Sequence, residues 1–359
     1  MVEAARPLVR KGRGAISNES GRFEPERRVL ADDGWGSLDV ELPPLRTETI
    51  IDRSRSIIAR NTSPDIPFDR SINPYRGCEH GCIYCFARPT HAFLGLSPGL
   101  DFESRLVVKP EAPALLRREL AKPGYVCRPI AMGTNTDPYQ PIEREHAITR
   151  GILEVLSDCS HPLSIVTKSA LVLRDLDILA DMAARNLVKV FLSVTTLDKG
   201  LARRMEPRAA APGRRLETIR VLAEAGVPTG VMAAPMIPAL NDHELEAILE
   251  ASQAAGAGSA GYILLRLPLE IKELFEDWLQ THYPDRASRV LNLVRQTRGG
   301  ALYKDKWGER MAGTGPYADL LARRFATACR RLGLDRNDRR LDSDRFRPPP
   351  ADARQMSLF

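Results

Sequence analysis

The sequence predicts an α/β protein: a partial (βα)6 TIM-type barrel with an extended N-terminal arm and a helical C-terminal extension. Two observations carry this. Six short apolar runs alternate with segments of helical period across the middle of the 359-residue chain, the signature of a parallel sheet with helical crossovers. The chemically notable residues also follow the ends of those runs, where such barrels collect their function.

Residues 1–66 are rich in Arg, Gly and Pro and weakly periodic, and read as an extended basic arm charged by Arg10, Lys11, Arg13, Arg27 and Arg28. The barrel spans 67–266. Its first strand, 67–73, runs into a cysteine-bearing loop. A helix over 112–120 places Leu115, Leu116 and Leu120 on one face. The second strand covers 129–133. One helix then spans 143–156, with Ile148, Ile152 and Leu156 as its apolar stripe. Strands at 163–168, 188–194, 229–235 and 260–265 follow, separated by helices at 176–186, 214–225 and 241–255. Gly226 stops the second of these, and the polar run Asn241-Asp242-His243-Glu244 opens the third. Residues 267–335 turn helical, at 269–283, 287–296 and 318–332. Residues 336–359, with Pro348-Pro349-Pro350, have the composition of a disordered tail.

A content of 43% hydrophobic and 27% charged residues places the chain among ordinary globular proteins. No apolar run approaches the ~18 residues of a membrane span, and no apolar segment follows the N-terminal basic residues. No membrane association and a cytoplasmic location are therefore expected, in a compartment that keeps thiols reduced. A net charge of +6 permits a nucleic acid substrate, and equally a solvated basic surface.

Cys78, Cys82 and Cys85 have the spacing Cys-x3-Cys-x2-Cys. Three thiolates on one loop can hold three irons of a [4Fe-4S] cluster and leave the fourth open to a small molecule, in known chemistry S-adenosylmethionine. The same trio could bind structural zinc with His80 or His91 as fourth ligand. Cys127, Cys159 and Cys329 are scattered, so neither a disulfide framework nor a further cluster is expected. Tyr84 and Phe86 beside the last cysteine suit a cofactor that must be shielded. On the same expected rim fall Thr134-Asn135-Thr136-Asp137, Lys168 and Ser169, Ser193 and Thr195, Met236 and Arg266.

The stretch Asn73–Cys85, with Phe86-Ala-Arg-Pro-Thr-His91 and Ser97–Glu103 after it, resembles the radical S-adenosylmethionine superfamily. Within it the likeness is to the group related to spore photoproduct lyase, and more narrowly to an uncharacterised family named after a Pseudomonas member. It continues through Glu206-Pro207-Arg208 and Gly226–Pro235, over about residues 45–330. The resemblance implies that Cys78, Cys82 and Cys85 ligate the cluster and that Tyr84 lies beside the adenine. It implies that Thr136, Asp137 and Ser193 stand near S-adenosyl-L-methionine, and that Lys168 reaches its methionine carboxylate. It further implies reductive cleavage to a 5′-deoxyadenosyl radical, fed by an electron donor such as flavodoxin or ferredoxin. One position departs: where the lyase carries a hydrogen-donating cysteine, this chain has Thr134, and Cys127 upstream reads as a core residue.

The terminal Gln355-Met356-Ser357-Leu358-Phe359 resembles the peptide by which replication and repair proteins bind the DNA sliding clamp. Gln355 would be the polar anchor, and Leu358 and Phe359 would fill the apolar cleft. The expectation is a radical enzyme acting on DNA, for repair or modification, tethered to the clamp. The alternatives are the same chemistry on RNA or a small molecule, and a non-catalytic zinc-binding interaction protein.

Overall fold

The computed structural model describes residues 9–25, 44–335 and 340–350. Six parallel strands, Arg70–Ile72, Ile130–Met132, Leu163–Thr167, Val188–Ser193, Thr229–Met236 and Ser259–Leu264, lie side by side in chain order. A seventh, Ile58–Arg60, pairs antiparallel with the first. The sheet does not close, because Ile58–Arg60 and Ser259–Leu264 are its two edges. The strands are short and apolar because both faces are covered: Ile130, Met132, Leu163, Ile165, Val188, Val190, Leu192, Val231 and Leu264 are all buried.

A helix not expected from the sequence, Lys199–Met205, follows the fourth strand; the expected helices between the strands occur where the apolar stripes place them, with one difference. The expected helix over 143–156 is two, Glu143–His146 and Ile148–Asp158, joined at Ala147 with φ 49°. The reason is Glu143, whose buried carboxylate accepts the Thr149 amide and so caps the second helix from outside it. The stripe Ile148, Ile152, Leu156 lies wholly beyond the break.

Part of the N-terminal arm is built into the fold. Glu48–Ile51 pairs parallel with Arg105–Val108, which pairs antiparallel with Tyr75–Arg76. Glu48–Ile51 is exposed along its length, so it carries no alternation to betray it as a strand. Its partner lies far along the chain.

In the C-terminal extension, helices Ile271–His282 and Pro284–Gln296 share one apolar cluster with the cysteine loop: Phe275, Trp278 and Leu279 pack with Cys82, Ile83 and Tyr84. Helix Pro316–Leu332 covers Leu245–Ala254 and the sixth strand, with Phe325 4.7 Å from Tyr262. Residues 340–350, expected as disordered tail, instead run along the end of the sheet opposite the cysteines. Asp342 N donates to Asn186 O (3.0 Å), Arg347 N to Cys159 O (2.8 Å), and Phe346 packs on Tyr125 and His161. The strap holds because an aromatic side chain fills an apolar recess, which charge composition along the chain does not reveal. The clamp motif, with Gln355, Leu358 and Phe359, lies outside the described residues. Among the described residues, no helix is long and apolar enough to cross a membrane.

Candidate active site

The cysteine loop leaves the C-terminal end of the first strand and is fixed at nearly every turn. Cys78 N donates to Phe102 O (2.9 Å), Ile83 N to Met205 O (3.0 Å) and Arg208 N to His80 O (3.3 Å). Gly77 turns with φ 79°, and a Cβ there would stand 2.8 Å from Phe102 O, so glycine is needed for both conformation and space. The buried Arg88 guanidinium holds the loop from behind. It donates to Cys82 O (2.9 Å) and Gly81 O (3.1 Å), to Pro98 O and Gly99 O, and pairs with the buried Glu103 carboxylate. Glu103 in turn accepts the Gly14 and Ala15 amides at 2.9 and 2.8 Å, so the N-terminal segment is clasped over the loop.

Cys78 and Cys82 are buried and Cys85 is half-buried. Burial pushes the Cys78 thiol well above its ordinary range and the Cys82 thiol up to about 12, although Lys168 lowers the latter. Thiolates here need a strong local positive charge, which is what an iron cluster provides, so the donor set fits the group. The zinc alternative required His80 or His91 as fourth ligand. His91 Nε2 instead hydrogen-bonds Arg105 O (3.0 Å), and His80 Nδ1 faces Asp137 Oδ2 at 3.3 Å. Among the described residues, no group of three or more His, Cys, Asp and Glu side chains gathers as ligands of one ion do.

Asp137 accepts from four groups: Thr167 Oγ1 (2.7 Å), Tyr139 N (2.9 Å), Lys168 N (2.8 Å) and His80. Burial pushes its carboxyl up, but the His80 imidazole and these hydrogen bonds outweigh burial and hold it at about 2. Its backbone amide also hydrogen-bonds Cys78. Asp137 thus locks the second and third strand ends to the cysteine loop. Thr136 does related work, donating to Gly77 O (2.7 Å) and accepting Gln140 Nε2 (3.0 Å). The Lys168 ammonium lies 5.8 Å from the centre of the Tyr84 ring. Burial works against its charge, but Cys82 and Glu206 raise its pKa.

Tyr84 is buried, and its hydroxyl donates to Glu206. Glu206 also accepts Thr195 Oγ1 (2.7 Å) and pairs with Arg215, which donates to Ser193 O at 2.9 Å. Burial raises the Glu206 carboxyl, but Arg215 and Lys168 win and hold it at about 2. The structure therefore brings Tyr84, Thr136, Asp137 and Lys168 against the cysteines, and ties Ser193 in through its carbonyl. Thr134 stands apart, bonded to Asn73 (3.1 Å). Cys127 lies at the far end of the sheet beside Ser343. Thr195, expected on the rim, joins the site through Glu206, whereas sequence reasoning missed Arg88, Glu103, Glu206 and Arg215 as site residues. Arg88, Glu103 and Glu206 each had one signal, a place in the stretches that carry the resemblance.

A thiol-bearing loop at the C-terminal rim of an open parallel barrel, backed by a half-buried lysine and paired carboxylates, defines a cofactor-dependent barrel enzyme. The Radical SAM superfamily model matches residues 72–251, and the chain belongs to that superfamily: it is a radical S-adenosylmethionine enzyme, with a [4Fe-4S] cluster and S-adenosylmethionine as cofactors. It is 40% identical over 252 residues to an uncharacterised protein of Mycobacterium tuberculosis, covering 69% of this chain and 74% of that one. It is 29% identical over 221 residues to an uncharacterised protein of Methanocaldococcus jannaschii, covering 62% and 79%. Among solved structures, a point variant of spore photoproduct lyase matches with a TM-score of 0.56 at 17% identity, over 80% of each chain. The lyase complexed with a dinucleoside spore photoproduct matches with a TM-score of 0.55 at 16% identity, over 79% and 78%. At these identities the shared property is the fold.

Proposed function

We propose that Cys78, Cys82 and Cys85 hold the [4Fe-4S] cluster and that the enzyme acts on DNA, repairing or modifying a lesion in the cytoplasm while tethered to the sliding clamp through Gln355, Leu358 and Phe359. The observation that carries the first part is the immobilised cysteine loop with Lys168 and Asp137 at its side. When bound, the cluster supplies one electron to the sulfonium of S-adenosylmethionine, whose cleavage yields methionine and a 5′-deoxyadenosyl radical. Lys168 offers a point charge to the methionine carboxylate. Tyr84, with its hydroxyl tied to Glu206, walls the adenine side. Asp137 and Thr136 hold the loop in register, and Arg215 fixes the strand end at Ser193. The DNA reading is supported by the fold shared with a lyase solved with a dinucleoside lesion, the basic net charge and the terminal motif. Thr134 stands where that lyase's thiol was expected, and its O–H bond is too strong to give up a hydrogen atom readily, so the reaction differs from photoproduct reversal.

The test is anaerobic reconstitution, dithionite and S-adenosylmethionine, with 5′-deoxyadenosine measured against damaged DNA, undamaged DNA and RNA. Product from wild type, its loss in Cys82→Ala and stimulation by damaged DNA are expected. Equal yields from both proteins would remove the cluster assignment, and stimulation by RNA alone the DNA target. Pull-down on purified clamp, lost on deleting residues 355–359, tests the tether.

A further inference from the structure

The open sheet has a seam between its two edge strands, Ile58–Arg60 and Ser259–Leu264, and one carboxylate spans it. From the first edge the chain runs directly on to Asp65. Segment 303–311 lies along the other edge. There Leu264 N donates to Met311 O at 2.9 Å, and the buried Arg298 guanidinium donates to Leu265 O, Glu309 O and Arg310 O at 2.8, 2.9 and 3.0 Å. Across the seam, Asp65 accepts the Gly308 amide at 2.6 Å and pairs with Arg310, which also donates to Ser63. The Asp65 side chain is only 5% exposed.

Arg266, at the end of the sixth strand, stands close to this link. The Gly308 amide, then Arg310 and Arg266, hold the Asp65 carboxyl below its ordinary range. The Arg266 guanidinium lies 4.9 Å over the ring of Phe86, the residue after Cys85. Its Nε is buried with no acceptor among the described residues, and its Nη1 meets only the weakly accepting Met311 sulfur at 3.3 Å. Among the described residues, neither Arg266 nor Arg298 has an ion-paired carboxylate, and the Arg298 Nε also lacks an acceptor. Burial, then Arg266, pushes Arg298 down to about 10. Residues 298–310 with Arg266 and Asp65 carry five cations and three carboxylates, and Glu309 is taken by Lys304 and Lys306. Positive charge is therefore in excess here. A guanidinium with unused N–H groups selects an oxyanion, because its planar fork fits carboxylate and phosphate alike.

We infer that Arg266 and Arg310 form a site for a phosphate group of the substrate, a phosphodiester where the substrate is DNA, and that Asp65 fills it in the free protein as a stand-in. The DNA form of the inference rests on the function proposed above. Phosphate and carboxylate offer the same sign of charge and the same kind of acceptor. An arriving phosphate therefore displaces Asp65 from Arg310, releases the link across the seam and takes up the unused donors of Arg266. No covalent bond forms or breaks. Because Arg266 lies over Phe86, a phosphate held there brings its nucleoside to the cysteine loop.

The experiment uses the reconstituted full chain with two probes: a short fluorescein-labelled single-stranded DNA read by anisotropy across salt, and inorganic phosphate read by the rise in thermal midpoint. Wild type is compared with Arg266→Gln, Asp65→Asn and, as a control, Asp305→Asn, an exposed carboxylate of the same segment. Arg266→Gln binds the DNA about tenfold more weakly, and the slope of log K against log salt falls by about 0.7. Asp65→Asn keeps an acceptor for the Gly308 amide but loses the competing charge, so it binds the DNA roughly threefold more tightly and gains more from phosphate than wild type does. Asp65→Asn binding no more tightly than wild type overturns the inference, since a merely structural link gains nothing from losing its charge. An equal gain in Asp305→Asn also overturns it, because the effect is then general electrostatics. Weaker S-adenosylmethionine binding in Arg266→Gln overturns it as well, by assigning the guanidinium to the cofactor. DNA affinity unchanged in Arg266→Gln removes the phosphate site and retains the DNA reading. Phosphate responses in the expected order, with no DNA binding by wild type, retain the site and remove the DNA reading.

Discussion

The His80 imidazole faces the Asp137 carboxylate at 3.3 Å, joining the middle of the cysteine loop to the ends of the second and third barrel strands. His80 is buried and the Asp137 side chain is only 9% exposed, so water dilutes the contact little. The loop's position is therefore set by a carboxylate with four donors, and replacing that carboxylate tests the arrangement. In Asp137→Asn, the amide N–H2 must face a backbone donor, the Tyr139 amide in one orientation or the Lys168 amide in the other. We expect a loss of about 1–3 kcal/mol in denaturant unfolding, together with lower iron content after reconstitution. Unchanged iron stoichiometry would show that His80 is held without Asp137.

Acid should weaken the fold in a defined window. Asp137 and Glu206 are both held at about 2 in the folded chain, below their ordinary values. A carboxylate depressed on folding stabilises the protein fully above its unfolded pKa, and that stability is lost as pH falls through the folded value. The contribution of these two carboxylates should therefore be flat near neutrality and fall from about pH 4.5 towards pH 2, by roughly 2 kcal/mol each. Glu206→Gln should show a shallower fall over the same range. Equal slopes in the two proteins would contradict the assignment.

Arg88 holds four carbonyl oxygens, two of them in the cysteine loop, and neutralises Glu103. Arg88→Met removes those donors and leaves a buried carboxylate without its cation. The expected loss is about 3–5 kcal/mol, read from the urea midpoint. Arg88→Met/Glu103→Leu should recover part of it, because the charge would then be gone from both sides.

The strap at the opposite end of the sheet should behave differently. Phe346 sits 5.5 Å from the Tyr125 ring and 5.4 Å from His161. Phe346→Ala should lower stability by about 1–2 kcal/mol while iron content and 5′-deoxyadenosine yield per folded chain stay at wild-type levels. A loss of cluster in this variant would reveal coupling between the two ends of the sheet.

Much of the barrel was legible because its strands are buried on both faces and its helices carry stripes: the runs at 163–168, 188–194 and 229–235 recur within a residue or two as Leu163–Thr167, Val188–Ser193 and Thr229–Met236. Elements outside that rule were not. Glu48–Ile51 is exposed and exists through its pairing with Arg105–Val108. The break at Ala147 depends on a Glu143 side chain that also receives Tyr75 and Arg174 from other parts of the chain. The ordered stretch 340–350 depends on a recess built by Tyr125 and His161.

By itself the sequence determined the periodicity that makes six βα units and the Cys-x3-Cys-x2-Cys spacing that gathers three thiols on one loop, because both are relations between near neighbours. The tertiary structure alone decided what surrounds those thiols. Tyr84 meets Glu206 across 122 positions and Gly14 meets Glu103 across 89. Such pairs form because strand order and loop closure bring distant segments to one rim, and because a charge buried there must find a partner. Strand order and burial belong to the folded chain as a whole, and no local pattern in the sequence carries them.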